Sequence, residues 1–282
     1  MYVWKPLSPS QPQQLAVGIA FGMTDIGKVR PSNEDNFLID CKLGLVAVAD
    51  GMGGHEKGEV ASADALLSLS HYIRTSGDDP NGIPEFIASD FDVAESDPHG
   101  LWSADALAAM TTLHDAVEFA NDRMYRLNIE NRHPEGAGMG TTLTGFWQPV
   151  HSGPLFAFHV GDSRLYRLRD GHLQQLTRDQ TMYQHAFDLG LRQNLPGRNL
   201  LLQALGPSSS IRPELITHHT SPGDIYMLCS DGLHGATARE DMAEILLRAG
   251  PSGLGEACAA LIELAKQGGS RDNITVVLLY CH

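Results

Sequence analysis

The sequence predicts an α+β sandwich whose sheets are covered by helices, and three observations carry that prediction. Short apolar runs rich in β-branched and aromatic residues recur along the chain, each of strand length. Two pairs of longer segments repeat their apolar residues at helical spacing. The segments come in blocks, whereas a doubly wound nucleotide-binding fold would need strand and helix to alternate regularly.

Residues 1–14, rich in proline, glutamine and serine, read as a flexible N-terminal tail. Strand-like runs follow at Val17–Phe21 and Leu45–Ala49. Val60–Arg74 and Ala104–Leu127 have helical periodicity; in the second, Leu113, Val117, Ala120, Met124 and Leu127 share one face. Between them, Ser76–Asp97 carries proline, glycine and many acids and reads as a surface loop. Strands come next at Thr141–Trp147, Leu155–Val160 and Leu165–Leu168, with Arg169-Asp170-Gly171-His172 as a hairpin turn. Ile225–Cys229 is a further strand, Asp241–Arg248 and Leu254–Lys266 a second helical pair, and Ile274–Tyr280 a last strand. No repeat and no interdomain linker interrupts the chain from Leu15 onward, so residues 15–282 read as one domain.

The chain has 42% hydrophobic and 19% charged residues, ordinary for a globular protein. A formal charge of −14 argues against nucleic-acid or anionic-membrane partners, which need a basic footprint. A phosphorylated substrate would need local positive charge that composition does not show, and bound metal is one way to supply it. Cys41, Cys229, Cys258 and Cys281 are widely spaced, without a CxxC pair, and read as reduced thiols. No apolar stretch approaches the roughly 20 residues of a spanning helix, and the first residues lack a signal peptide's apolar core. A cytoplasmic monomer is expected.

The informative feature is where aspartates stand relative to strands. Asp50 comes where the run Leu45-Val-Ala-Val-Ala stops, Asp231 just after Ile225-Tyr-Met-Leu-Cys-Ser, and Asp272 just before Ile274-Thr-Val-Val-Leu. Glu34 and Asp35 precede another short apolar segment. Singly, an Asp-Gly after a strand is more often a turn than a ligand, as at Asp170-Gly171. Asp50 and Asp231 differ because no partner strand follows directly, and Asp50 runs into Gly51-Met52-Gly53-Gly54, more glycine than a turn requires. Carboxylates gathered at strand ends repel one another unless a cation neutralises them. An all-oxygen set suits Mg²⁺ or Mn²⁺, and neither cysteine nor histidine recurs at zinc spacing.

Read together, these segments resemble the metal-dependent protein phosphatase family, type 2C, and its bacterial branch above all. The matching stretches are Thr24-Asp-Ile-Gly-Lys-Val-Arg30-Pro-Ser-Asn-Glu34-Asp35-Asn, Val48-Ala-Asp50-Gly51-Met-Gly-Gly-His55 and Gly138-Met-Gly-Thr-Thr142. His159-Val-Gly-Asp162-Ser-Arg164, Leu205-Gly206, Leu228-Cys-Ser-Asp231-Gly232-Leu233 and Gly269-Ser-Arg-Asp272-Asn273-Ile-Thr complete the set in the family's order, spanning roughly residues 17–280. The resemblance implies a four-layer αββα sandwich, two antiparallel sheets flanked by helices, with the metals in a cleft at one end. It makes residues 15–282 a single phosphatase catalytic domain.

It also implies roles. Asp50 bridges two Mn²⁺ or Mg²⁺ ions, with the backbone carbonyl of Gly51 on one; Asp231 and Asp272 complete the other. Asp35 is placed with the metal set and Glu34 with catalysis, which of the two touches metal staying open, and Asn273 supports the ligands from behind. Arg30 matches the phosphate-binding arginine, a fork suited to two phosphate oxygens. Two cations roughly 3.5–4 Å apart would activate a shared water for in-line attack on phosphorus, with no phosphoenzyme. The substrates implied are phosphoserine and phosphothreonine proteins, the chain opposing a bacterial-type serine/threonine kinase.

Departures qualify the match. Where some members carry a histidine directly after Asp-Gly, this chain has Met52, so the proton donor stays undetermined, with His55 the best candidate among thirteen histidines. Bacterial members often hold a third cation through an aspartate where this chain has Ala137; Glu135 is offset by two residues, so the third site is expected weak or empty. Asp162 and Arg164 read as anchors of strand ends. Thr177–Gln203 stands where the family carries a mobile flap. Two other classes stay open: a regulatory module that has lost activity, which retention of Arg30, Asp50, Asp231 and Asp272 speaks against, and a hydrolase of small phosphate esters.

Overall fold

A computed structural model describes residues 6, 8–53, 57–76, 104–149 and 153–282 of the chain. In order, its elements are β1 (Gln13–Gln14), β2 (Gly18–Asp25), β3 (Asp35–Asp40), β4 (Leu45–Met52), α1 (Lys57–Ser76), α2 (Ala104–Glu130), β5 (Gly140–Thr141), β6 (Leu143–Trp147), β7 (Leu155–Val160) and β8 (Arg164–Arg169). Then come β9 (His172–Gln175), α3 (Met182–Asp188), β10 (Glu214–His218), β11 (Ile225–Cys229), α4 (Asp231–His234), α5 (Arg239–Leu247), α6 (Leu254–Gln267) and β12 (Ile274–Cys281).

The strands form two sheets. One runs β1-β2-β12-β11-β8-β9; the other runs β10-β7-β6-β4-β3, with β5 beside β4, and every pairing is antiparallel. The runs read as strands are apolar on both faces because both faces are buried. In β4, Leu45, Ala47 and Ala49 pack under α1 and α2, while Val46 and Val48 face the other sheet. In β12, Ile274, Val276 and Leu278 meet α5 and α6, while Val277 and Leu279 face inward. Three apolar layers thus separate four layers of structure. On α2 the heptad-like stripe Leu113, Val117, Ala120 and Met124 is fully buried. Each such leucine or valine contributes about 1.5–3 kcal/mol by leaving water.

Differences from expectation have local causes. Thr141–Trp147 is split at Thr142 into β5 and β6, so that β5 can also bridge to Leu205. Asp50 and Gly51 lie inside β4, and Asp231 opens α4. Short strands β3 and β10, too polar to stand out, complete the second sheet. Asp170 (φ 50°) and Gly171 (φ 78°) form the expected hairpin turn between β8 and β9, their left-handed backbone matching the strands' twist. Within the 1–14 segment read as a flexible tail, Ser8–Gln14 lies along the edge of β2. Ser10 N donates to Gly22 O at 2.8 Å, and the Ser8 and Ser10 hydroxyls accept from Thr24 N and Gly22 N. An edge strand asks only for backbone and hydroxyl groups, which a polar composition supplies as well as an apolar one. The loop read over 76–97 lies outside the described residues beyond Ser76.

Candidate active site

The C-terminal ends of β4 and β11, the start of β12 and the β7–β8 turn meet at one end of the sandwich, around a cleft of about 790 Å³. The antiparallel register of β11 with β12 puts the exit of one beside the entry of the other, so Asp231 and Asp272 face the same opening. Asp50 arrives from the other sheet. Its N–H donates to Thr142 Oγ1 (3.0 Å) and its carbonyl accepts from Thr142 N and Thr141 Oγ1 (2.9 Å each), which fixes the end of β4.

Burial and mutual repulsion dominate the electrostatics. Asp50 is held well above the usual carboxylate range, first by burial and then by the charges of Asp35, Asp231, Asp162 and Asp272. Burial, with Asp272 beside it, pushes Asp231 up to about 6, and its Oδ1 is buried without a hydrogen-bond partner. Arg30 is the only basic side chain on the cleft wall among the described residues, and its Nη2 lies 2.5 Å from Asp272 Oδ2.

Glu34 and Asp35 part company. Glu34 lines the cleft, its carboxyl accepting from Gly58 N–H in the first turn of α1; a Cβ on Gly58 would stand 2.6 Å from the Glu34 carboxyl carbon, so a larger residue there would displace the carboxyl. Asp35 is not on the cleft wall. It is 3% exposed, lies opposite Asp50 in the β3–β4 register, and its Oδ2 accepts from Ser230 Oγ (2.6 Å) and Thr275 Oγ1 (2.7 Å) of the other sheet. Burial pushes Asp35 up to about 7. Asp35, placed in the sequence with the metal set, thus braces the two sheets beside Asp50 and does not line the cleft. Asn273 also works from behind, its amide donating to Ile26 O and Ser32 O (3.0 and 2.9 Å) and its oxygen accepting from Glu34 N (2.9 Å). These bonds hold the loop that carries Arg30.

Asp162 and Thr142 also line the cleft. Asp162, read as an anchor, lines the cleft beside Asp231 and is pushed up to about 7, mainly by burial. Asp162 also follows an apolar run, Leu155–Val160, across Gly161 at φ 105°, but a strand begins two residues later at Arg164, so in the sequence it resembles an ordinary turn. His234 Nε2 donates to the Asp162 carbonyl at 2.9 Å. The Thr142 hydroxyl pairs with Ser163 Oγ at 2.7 Å and links the end of β4 to the β7–β8 turn. Arg164 does anchor, through two bonds to Asp179 (2.7 and 2.6 Å). Asn199 and Leu201 bring the 177–203 segment to the cleft. Near Ala137, Glu135 is engaged by Tyr125 (2.6 Å) and the Ser209 amide (3.0 Å) and does not line the cleft. His55 lies outside the described residues.

The donor set fits hard divalent cations: carboxylates of Asp50, Asp231, Asp272, Glu34 and Asp162, with one buried oxygen unpartnered and one arginine to offset the charge. The family model described as protein phosphatase 2C matches residues 31–254. The chain belongs to that family. Among its relatives, the serine/threonine protein phosphatase PstP of Mycobacterium tuberculosis is 36% identical over 260 residues, 90% of this chain. The chain spans only 43% of that relative's length. A putative 2C-type phosphatase of Streptococcus pyogenes is 31% identical over 266 residues, 91% of this chain and 95% of the relative. The crystal structure of the catalytic domain of PstP in complex with two manganese ions superposes with a TM-score of 0.71 at 33% identity, covering 93% of this chain and 97% of that one. The four-layer architecture is that of the family.

Proposed function

We propose that this chain is a Mn²⁺- or Mg²⁺-dependent serine/threonine phosphoprotein phosphatase. The observation that carries the reading is convergence: acids from both sheets meet in one cleft, Asp231 Oδ1 lacks a partner there, and Arg30 stands among them. The two manganese ions in the PstP catalytic domain support a two-ion site here. Asp50, Asp231 and Asp272 would hold the ions, with the Gly51 carbonyl as a neutral donor. Bound in this set, the cations lower the pKa of water and offset phosphoryl charge.

The chain's own residues do the rest. Arg30 orients the phosphate with its fork, moving from Asp272 to two phosphoryl oxygens. Glu34, raised above the ordinary glutamate value first by burial, accepts a proton from water at the cleft wall. Cys229 and Cys258 are buried, which pushes their thiols well above the ordinary thiol value, and no cysteine lines the cleft among the described residues. Direct attack by water without a phosphoenzyme agrees with this. With Ala137 unable to ligate and Glu135 tied elsewhere, two ions are held well and a third weakly. The substrates include a serine/threonine kinase, and the domain acts as a cytoplasmic monomer. No described helix is long and apolar enough to cross a membrane.

The test compares a phosphothreonine peptide with nucleotides as substrates, with and without chelator, beside Asp50→Asn. Peptide turnover that needs Mn²⁺ and vanishes in Asp50→Asn is expected, with two ions in a binding titration. Turnover in excess chelator, or full activity in Asp50→Asn, overturns the reading.

A further inference from the structure

Residues 177–203 rise from one wall of the cleft on a narrow base. Gly161 N donates to Gln180 Oε1 (2.8 Å), Leu202 N to Gln180 O (2.8 Å) and Met182 N to Leu200 O (2.8 Å), which ties both ends of the segment together. On it Tyr183 and Phe187 stack with ring centroids 6.4 Å apart and planes 10° from parallel. The Arg198 guanidinium lies 4.2 Å from the Tyr183 centroid and that of Arg192 4.0 Å from Phe187. The result is a four-member ladder, cation, ring, ring, cation.

Around the ladder the surface is apolar and open. Leu189 is 71% exposed, and Met182, Phe187, Leu191, Leu200 and Leu202 are each 40–52% exposed. A concentration of this kind on one short segment marks a contact surface. Charge says what it contacts. The chain as a whole carries −14, yet no aspartate or glutamate occurs between Asp188 and Glu214, where Arg192, Arg198 and Arg212 stand. Among the described residues none of these three is ion-paired, whereas Arg178 at the base is neutralised by Asp188. A guanidinium stacked on a ring keeps N–H donors in its plane; Arg192 uses one nitrogen on the carbonyls of Phe187 and Leu191, and Arg198 one on Tyr183.

We propose that this ladder is a docking surface for an acidic, partly apolar segment of the phosphoprotein substrate, next to the residue being dephosphorylated. The proposal rests on the phosphatase reading and names the substrate class of the same cleft. Asn199 and Leu201, next to Arg198 in the same segment, line the cleft, so the ladder stands beside the site of dephosphorylation. The net negative body repels an acidic segment elsewhere, and this arginine-bearing patch is where it lands.

The test uses three phosphothreonine peptides alike except for neighbours: glutamates with a leucine, neutral residues with a leucine, or lysines with a leucine. Each is assayed with the unmodified chain and with Arg192→Gln/Arg198→Gln in saturating Mn²⁺. The glutamate peptide is expected to have the highest kcat/KM. The glutamate-to-lysine ratio should fall about five-fold or more in the double variant and shrink as salt is raised. Because the readout is a ratio, partial loss of folded protein does not imitate the effect. A ratio near one in the unmodified chain, or a ratio kept in the double variant, overturns the docking surface. Failure to turn over even the neutral peptide overturns the phosphatase reading instead.

Discussion

Arg30 has two partners to choose between. In the structure its Nη2 meets Asp272 Oδ2 at 2.5 Å, and under the proposed function its fork turns to the phosphate. A charge-assisted bidentate contact is worth about 1.5–3 kcal/mol, so Arg30→Ala should lower kcat/KM for phosphopeptide about ten- to hundred-fold, chiefly through KM. Arg30→Lys should recover only part, because an ammonium presents no fork. Steady-state kinetics on one phosphopeptide check this, and unchanged constants in both variants would move Arg30 to a structural role. Asp50 and Asp231 stand out in the sequence as acids that close an apolar run with no hairpin after them, and Asp272 as one that precedes a run; all three line the cleft. Asp162 is masked by the strand that follows it at Arg164, which makes it look like a turn residue. Glu34 and Asp35 could not be told apart, since neighbours at a strand's start point opposite ways and only the pairing of Asp35 with Asp50 decides which way is inward.

At the scale of elements, the loop bearing Arg30 has no regular structure and is positioned by Asn273, at the entry to β12. Its side chain makes three hydrogen bonds, to Ile26 O, Ser32 O and Glu34 N. At about 1 kcal/mol each, Asn273→Ala should cost about 3 kcal/mol of stability and raise KM as Arg30 loses its support. Urea unfolding and phosphopeptide kinetics on the same preparation measure both, and a normal KM in a destabilised variant would separate Asn273 from the site. Strands buried on both faces, such as β4, β11 and β12, were plain in the sequence. Edge strands were not: β1, β3 and β10 are short and largely polar, and are held by ladder bonds that composition does not reveal. The hydroxyl clamp on Asp35 was invisible for a similar reason, its partners Ser230 and Thr275 being remote in sequence.

For the molecule as a whole, two sets of groups titrate against each other. His159, His218 and His234 are driven down to about 4 by burial, so between about pH 6.5 and 4 the unfolded chain binds more protons than the native one and acid destabilises. Burial pushes Asp35 and Asp162 up to about 7 and Asp231 to about 6, so between about pH 4 and 7 the native state binds more protons and acid stabilises. Cations on the acids keep them ionised and remove the second contribution. The Mn²⁺-loaded protein should therefore lose stability from pH 7 to 5, while the chelated protein changes little or gains. Urea midpoints at the two pH values decide it, and an identical pH response with and without Mn²⁺ would contradict the carboxylate assignment. The two sheets also interleave the chain: β2, near the start of the described residues, pairs with β12, the last described element, and Asp272 stands at the entry to β12 while Asp50 belongs to β4. On the ribosome, then, a nascent chain that has already folded much of its second sheet still holds only part of the acid group, and it stays chemically silent until the β12 segment slides in between β2 and β11.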